Sequence, residues 1–140
     1  MSSLKVKIDK SRYRTELRTR GHYLIADEPG PFGTDLGPTP YDYLLMALGS
    51  CTAMTLRMYA DRKGWDLHDV EVDLTQDRIH ADDCDSCESE DGYVHSITKE
   101  IKFVGDLDQS QIERLLEISK KCPVHKTLEG EIRISERLVK

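Results

Sequence analysis

Apolar and polar positions change period several times along this chain, and each change marks an element. Residues 4–26, LKVKIDKSRYRTELRTRGHYLIA, mix two-residue alternation with turn signals at Asp9-Lys10 and Arg20-Gly21. That pattern predicts two or three short antiparallel strands. Residues 27–40, DEPGPFGTDLGPTP, hold four prolines and three glycines, sustain neither period, and read as a loop. A helix begins where the loop ends: Thr39 suits the N-cap, Pro40 the first helical position, and Asp42 the positive end of the helix dipole. The helix is expected to run to about Lys63, with Gly64 supplying the left-handed residue after its last turn. Leu44, Leu48, Cys51, Thr55 and Met58 fall on one stripe, and Ala47, Gly49, Ser50 and Ala53 keep its flank thin. From Tyr43 to Leu56 the chain is apolar almost all round. Such a helix must be enclosed by protein, more than one sheet of a 140-residue chain covers, which predicts a second subunit.

Val70, Val72 and Leu74 alternate in a further strand, and Tyr93, His95, Ile97, Ile101 and Phe103 alternate in the strand after it, with an acidic segment joining the two as a long hairpin loop. Asp108 opens a second helix with Gln111 in the capping-box position, and Ile112, Leu115, Leu116, Ser119 and Cys122 trace its expected buried face. Pro123 stops that helix. A short helical turn, PVHKTLEG, and a final strand with Ile132, Ile134 and Leu138 complete an α+β chain read as one domain, residues 1–140.

Charge and composition then remove function classes. With 38% apolar and 33% charged residues the chain is globular, and its length suffices for a buried core. The N-terminal stretch has no apolar run of the length a secretory signal needs, and residues 43–56 are too few to span a bilayer. We expect a cytoplasmic protein with no membrane partner. A net charge of −6 argues against nucleic acid, and no glycine-rich phosphate cradle or other cofactor motif is present. Much of the acidity is local: DRIHADDCDSCESED, residues 77–91, holds seven acids and one base.

Four cysteines in a reducing compartment are thiols, ligands or catalysts rather than a stabilising framework. Cys122 lies at the N-cap of the turn begun by Pro123, where free amides and the dipole favour thiolate, and Lys120, Lys121, His125 and Lys126 add positive charge nearby. Cys51 has no such neighbours in sequence and would need tertiary contacts for activation. Either cysteine taken singly also fits the role of a small packing hydrophobe. Both fall on inward-facing stripes of the two long helices and so could meet in the core, which periodicity alone leaves open. Cys84 and Cys87 form a C-x-x-C among Asp82, Asp83, Asp85 and Glu88, whose charge raises thiol pKa. With His80 and His95 they could hold a metal or form a reversible disulfide, although the spacing matches no standard finger and no metal is assigned. His22 and His68 read as ordinary surface or packing histidines.

The stretch GHYLIADEPGPFGTDLGPTPYDYLLMALGSCTAMTLRMYADRKG followed by KKCPVHKTL resembles the OsmC/Ohr family of osmotically inducible and organic hydroperoxide resistance proteins. The order of parts across nearly the whole chain carries the resemblance. It implies a fused α+β homodimer with antiparallel strands wrapped around central long helices. It also implies a thiol peroxidase in which Cys51 attacks an organic hydroperoxide, Cys122 resolves the sulfenic acid as a disulfide, and a dithiol reduces that disulfide. Hydroperoxide-resistance members carry a glutamate ten residues before the first cysteine, paired with an arginine; here Tyr41 holds that position and the acid is Asp42. Arg18 and Arg20 are candidate partners, and Arg20 is preferred. The pattern GPTPYDYLLMALGSCTAMTLRMYADRKGW, together with the HADDCDSC insert, looks more like the OsmC-like branch. A redox- or metal-sensing module built on the acidic loop, and a non-catalytic dimeric binder of an apolar ligand, stand as the alternative functions.

Overall fold

In the computed structural model, residues 2–80 and 92–139 are described. The chain forms two compact units, residues 1–46 and 47–140. In the first, β1 (Lys5–Ile8), β2 (Thr15–Thr19) and β3 (His22–Ala26) make an antiparallel sheet in that order. β2 and β3 are joined by two residues, Arg20 at φ 46° and Gly21 at φ 82°. Two successive left-handed residues match the right-handed twist of the strands, which sets the register Thr19↔His22 and Leu17↔Leu24. The loop that follows is organised by Asp27, a buried carboxylate that accepts hydrogen bonds from the Glu28 amide (2.8 Å), the Leu36 amide (3.1 Å) and the Thr34 hydroxyl (2.7 Å).

Helix α1 (Pro40–Lys63) starts with a reciprocal cap. The Asp42 amide donates to Thr39 Oγ1 (3.1 Å), and the Thr39 amide donates to Asp42 Oδ2 (3.0 Å). At the other end Gly64 takes φ 70° and its amide donates to the Asp61 carbonyl, while the Trp65 amide reaches back to the Ala60 carbonyl. This is the Schellman arrangement that a C-terminal glycine permits.

The second unit contains most of α1, the paired strands β4 (Asp66–His80) and β5 (Tyr93–Asp106), α2 (Gln109–Ser119) and α3 (Pro123–Glu129). β4 and β5 pair antiparallel with Val70↔Phe103, Val72↔Ile101 and Leu74↔Lys99 in register. Asp108 and Gln111 form the expected capping box on α2. Leu56, Ala60, Leu67, Leu115 and Ile118 form the buried core, with Trp65, Val70, Ile101 and Phe103 packed against it. At Gly49 a Cβ would stand 2.7 Å from a Leu74 methyl, so the missing side chain lets β4 pack closely on α1.

Three expectations change. The buried stripe of α1 is Leu48, Thr52, Leu56 and Ala60, and Met58, expected inside, is 71% exposed. A helix apolar on every side gives periodicity little to choose between, and the four-residue row that meets β4, β5 and α2 is the buried one. On α2 Leu115 is fully buried while Leu116 is 50% exposed. The final strand does not form: among the described residues, Ile132, Ile134 and Leu138 are exposed and residues 131–139 belong to no strand. Cys84 and Cys87, and the side chain of His80, lie outside the described residues.

Leucine position on α2 yields the first test. Leu115→Ala removes fully buried methyl groups and should lower unfolding free energy by about 2–5 kcal/mol. Leu116→Ala should lower it by roughly 1 kcal/mol or less. Urea denaturation followed by circular dichroism measures both, and equal losses would contradict the burial assignment.

Candidate active site

α1 and the N-terminus of α3 bring two sulfurs together. Cys51 lies mid-helix, partly exposed, and Cys122 is fully buried; both are free thiols, and they hydrogen-bond each other. Cys122 is the N-cap of α3 with Pro123 at the first helical position, and its sulfur accepts from the His125 amide at 3.4 Å. Proline is tolerated there because a first-turn amide has no helical acceptor. The Val124 amide also points at both sulfurs.

The environments of the two thiols differ in sign. Burial pushes Cys51 up, its hydrogen bond to Cys122 adds to that rise, and the Val124 amide and Thr55 hydroxyl only partly offset it. Burial also works against a charge on Cys122. There it is outweighed by hydrogen bonds from Cys51, the His125 amide, the Thr52 hydroxyl and the Val124 amide, so Cys122 is held below the usual cysteine value. The donors around Cys122 therefore favour an anion there over one at Cys51.

A half-buried lysine stands behind the pair. Lys99 Nζ on β5 donates to Thr52 Oγ1 (3.1 Å), the Ser119 carbonyl (3.0 Å) and His125 Nδ1 (2.9 Å). Because an ammonium only donates, Nδ1 must accept, which leaves the His125 proton on Nε2, 3.0 Å from a Glu129 carboxylate oxygen. Beside these groups opens a cavity of about 320 Å³, with Ile97, Ile101, Leu116 and Leu128 as apolar wall and Lys99 and His125 among its polar groups. Neither cysteine lines this cavity, whose links to the pair are Lys99 and His125.

The sequence profile described as OsmC-like protein matches residues 33–137. The chain belongs to the OsmC-like family. Solved structures of similar fold include the OsmC-like protein of Mycoplasma pneumoniae, at 19% identity over 93% of this chain and 88% of that one, with a TM-score of 0.74. The organic hydroperoxide resistance protein OsmC of Legionella pneumophila is 18% identical over 91% and 90%, with a TM-score of 0.65. An organic hydroperoxide resistance protein of Bacillus subtilis is 17% identical over 91% of each chain, with a TM-score of 0.61. No curated protein matches the sequence. Among the described residues no helix is long and apolar enough to cross a membrane.

Of the residues expected to form an OsmC-like site, Cys51 and Cys122 meet. Asp42 is engaged as the cap of α1, and Arg20 occupies the left-handed turn between β2 and β3, both in the first unit. Arg18 in the same unit lies over the Tyr23 ring, 4.7 Å from its centroid. His95 Nδ1 lies 2.7 Å from the Gln76 side-chain nitrogen. Thr52 and Lys99 were not among the expected site residues. Lys99 had a legible signal: it interrupts an inward alternation otherwise made by Ile97, Ile101 and Phe103.

Two interacting thiols lose protons in separate steps. The first anion is held on Cys122, so the first midpoint falls below the usual cysteine value. The second charge must form beside the first, so its midpoint falls above. Thiolate absorbance against pH in the reduced Cys84→Ser/Cys87→Ser protein measures both steps. Cys122→Ser should abolish the lower one, and a single transition at the ordinary value in the parent would contradict the pairing.

Proposed function

We propose that this OsmC-like protein is a cysteine peroxidase that reduces organic hydroperoxides. The observation that carries the reading is the hydrogen-bonded Cys51–Cys122 pair, one sulfur partly exposed and the other buried. Solvent access makes Cys51 the attacking sulfur, since a hydroperoxide cannot reach a fully buried Cys122 without opening the fold. When the shared proton passes to Cys122, the Cys51 thiolate attacks the outer peroxide oxygen, the O–O bond breaks, and the alkoxide takes one proton from solvent to leave as alcohol. Cys51 is then a sulfenic acid. Cys122 displaces its hydroxyl, which leaves as water with the Cys122 proton, and a disulfide remains. A cytoplasmic dithiol returns two electrons and two protons, becoming a disulfide itself. Arg20 and Asp42 remain candidate contributors from the first unit; the site chemistry above needs neither to form the sulfenic acid or the disulfide.

The test uses cumene hydroperoxide with dithiothreitol as reductant. Cys51→Ser should abolish turnover. Cys122→Ser should consume about one equivalent of peroxide per chain and stall as a dimedone-reactive sulfenic acid. Cys84→Ser/Cys87→Ser should retain turnover within a few-fold, because acidic neighbours disfavour those thiolates. Parental turnover in Cys51→Ser would end the peroxidase reading.

The same reading makes the protein a homodimer. Met54 and Met58 are exposed on α1, and Ile132, Ile134 and Leu138 stand exposed in an alternating segment; a second copy is the occupant that would cover such surface. Sedimentation should give about twice the 16.0 kDa chain mass at micromolar concentration, and a stable folded monomer would exclude the dimer.

A further inference from the structure

Lys99 brings a positive charge to a half-buried position, and its hydrogen bonds supply no negative charge in return. Its three N–H bonds go to a hydroxyl, a backbone carbonyl and an imidazole nitrogen, all neutral. Among the described residues no carboxylate stands within salt-bridge distance of Nζ. A cation withdrawn from water needs a nearby anion. The anionic groups whose fields act on Lys99 are Cys122 first, then Cys51, then Glu129. Glu129 is held at one remove by His125, and its side chain is 75% exposed, so solvent screens it. Lys120 and His95, the remaining titratable groups around the cavity, add no negative charge.

Thr52 links the cation to the sulfur. Its oxygen accepts from Lys99, and its single hydroxyl proton has two acceptors, the Leu48 carbonyl at 2.8 Å and Cys122 Sγ. With Lys99 occupying a lone pair, that proton points away from the ammonium toward one of these two. A thiolate is the stronger acceptor of the two.

We infer that Lys99 is the positioning cation of the dithiol, the counter-charge that keeps the Cys51–Cys122 pair singly ionised, acting on Cys122 by its field and through the Thr52 hydroxyl. The inference deepens the peroxidase reading and rests on it only for the use made of the thiolate. Burial lowers the Lys99 pKa while the sulfur charges raise it, as expected if the two ionisations support each other.

The experiment uses the full chain with Cys84→Ser/Cys87→Ser, and no peroxide. Lys99→Met keeps the length of the side chain and removes its charge; Lys99→Arg restores the charge. Lys99→Met should move the lower thiolate midpoint upward by about one pH unit and slow iodoacetamide alkylation of Cys51 at neutral pH about ten-fold. Lys99→Arg should recover most of both. Parental titration and alkylation in a folded Lys99→Met protein would overturn the inference. A reciprocal measurement needs no substitution at Lys99: followed by NMR of the lysine ε-carbon, Lys99 should deprotonate at lower pH after diamide has converted the dithiol to its disulfide, because the counter-anion is gone. An unchanged Lys99 midpoint would overturn the inference independently. If the parent fails to consume hydroperoxide while these shifts appear, the peroxidase reading fails and the role of Lys99 stands.

Discussion

The packing of α1 with α2 fixes where both sulfurs lie. Leu56 and Ala60 share one buried cluster with Leu115 and Ile118. Moving from that cluster toward the start of α1 reaches Thr52 and Cys51, and moving toward the end of α2 reaches Ser119 and Cys122. The two helices therefore run in opposite senses past the site, and Lys99, donating to Thr52 and to the Ser119 carbonyl, ties them at the level of the thiols. A slip of one helical turn would displace one sulfur by about 5.4 Å, beyond hydrogen-bond reach. Gly49 lets β4 close on α1 by leaving room for Leu74. The two sulfurs are thus held by ordinary apolar packing about a turn away.

Backbone position divides the two cysteines. Cys51 lies inside α1, where the amides of its own helix are committed to helical carbonyls and none is left to face its sulfur. Cys122 lies at a helix start, where amides have no helical acceptor and the sulfur takes that place. Exposure divides them the opposite way, since Cys51 is the one solvent reaches. Electrostatics and access would conflict in a single cysteine. In a hydrogen-bonded pair they do not, because one proton shift along the shared hydrogen bond moves the charge from the stabilised sulfur to the accessible one.

Much of this was legible in the residues because it depends on local chemistry. The Thr39/Asp42 cap, the Gly64 terminus, the Asp108/Gln111 box and the Cys122-Pro123 start each follow from neighbours within four positions, and each is present. The strands of residues 4–26 and the β4–β5 pair were readable for the same reason. What failed was choosing among faces. The expected α1 stripe passed through Cys51, Thr55 and Met58, whereas Thr52 and Leu56 are the buried positions, a choice made by β4, β5 and α2 rather than by α1 itself. The expected last strand had apolar alternation, but among the described residues it pairs with none of the five strands. Lys99 was passed over because a lysine among alternating apolar residues reads as a gap in the pattern; its significance lies in three acceptors contributed by three other segments.

The division of the four cysteines follows from charge that the chain places around them. Asp82, Asp83, Asp85 and Glu88 lie within two positions of a cysteine of the C-x-x-C segment. Their field opposes ionisation wherever the segment lies. Around Cys122 stand the His125 and Val124 amides and the Thr52 hydroxyl, which favour an anion, and Lys99 is bonded to Thr52 and His125 behind them. The same side chain is disfavoured as an anion in one setting and favoured in the other. Nothing about sulfur changes between them; the charges and dipoles around each thiol differ, and each pKa unit corresponds to about 1.4 kcal/mol.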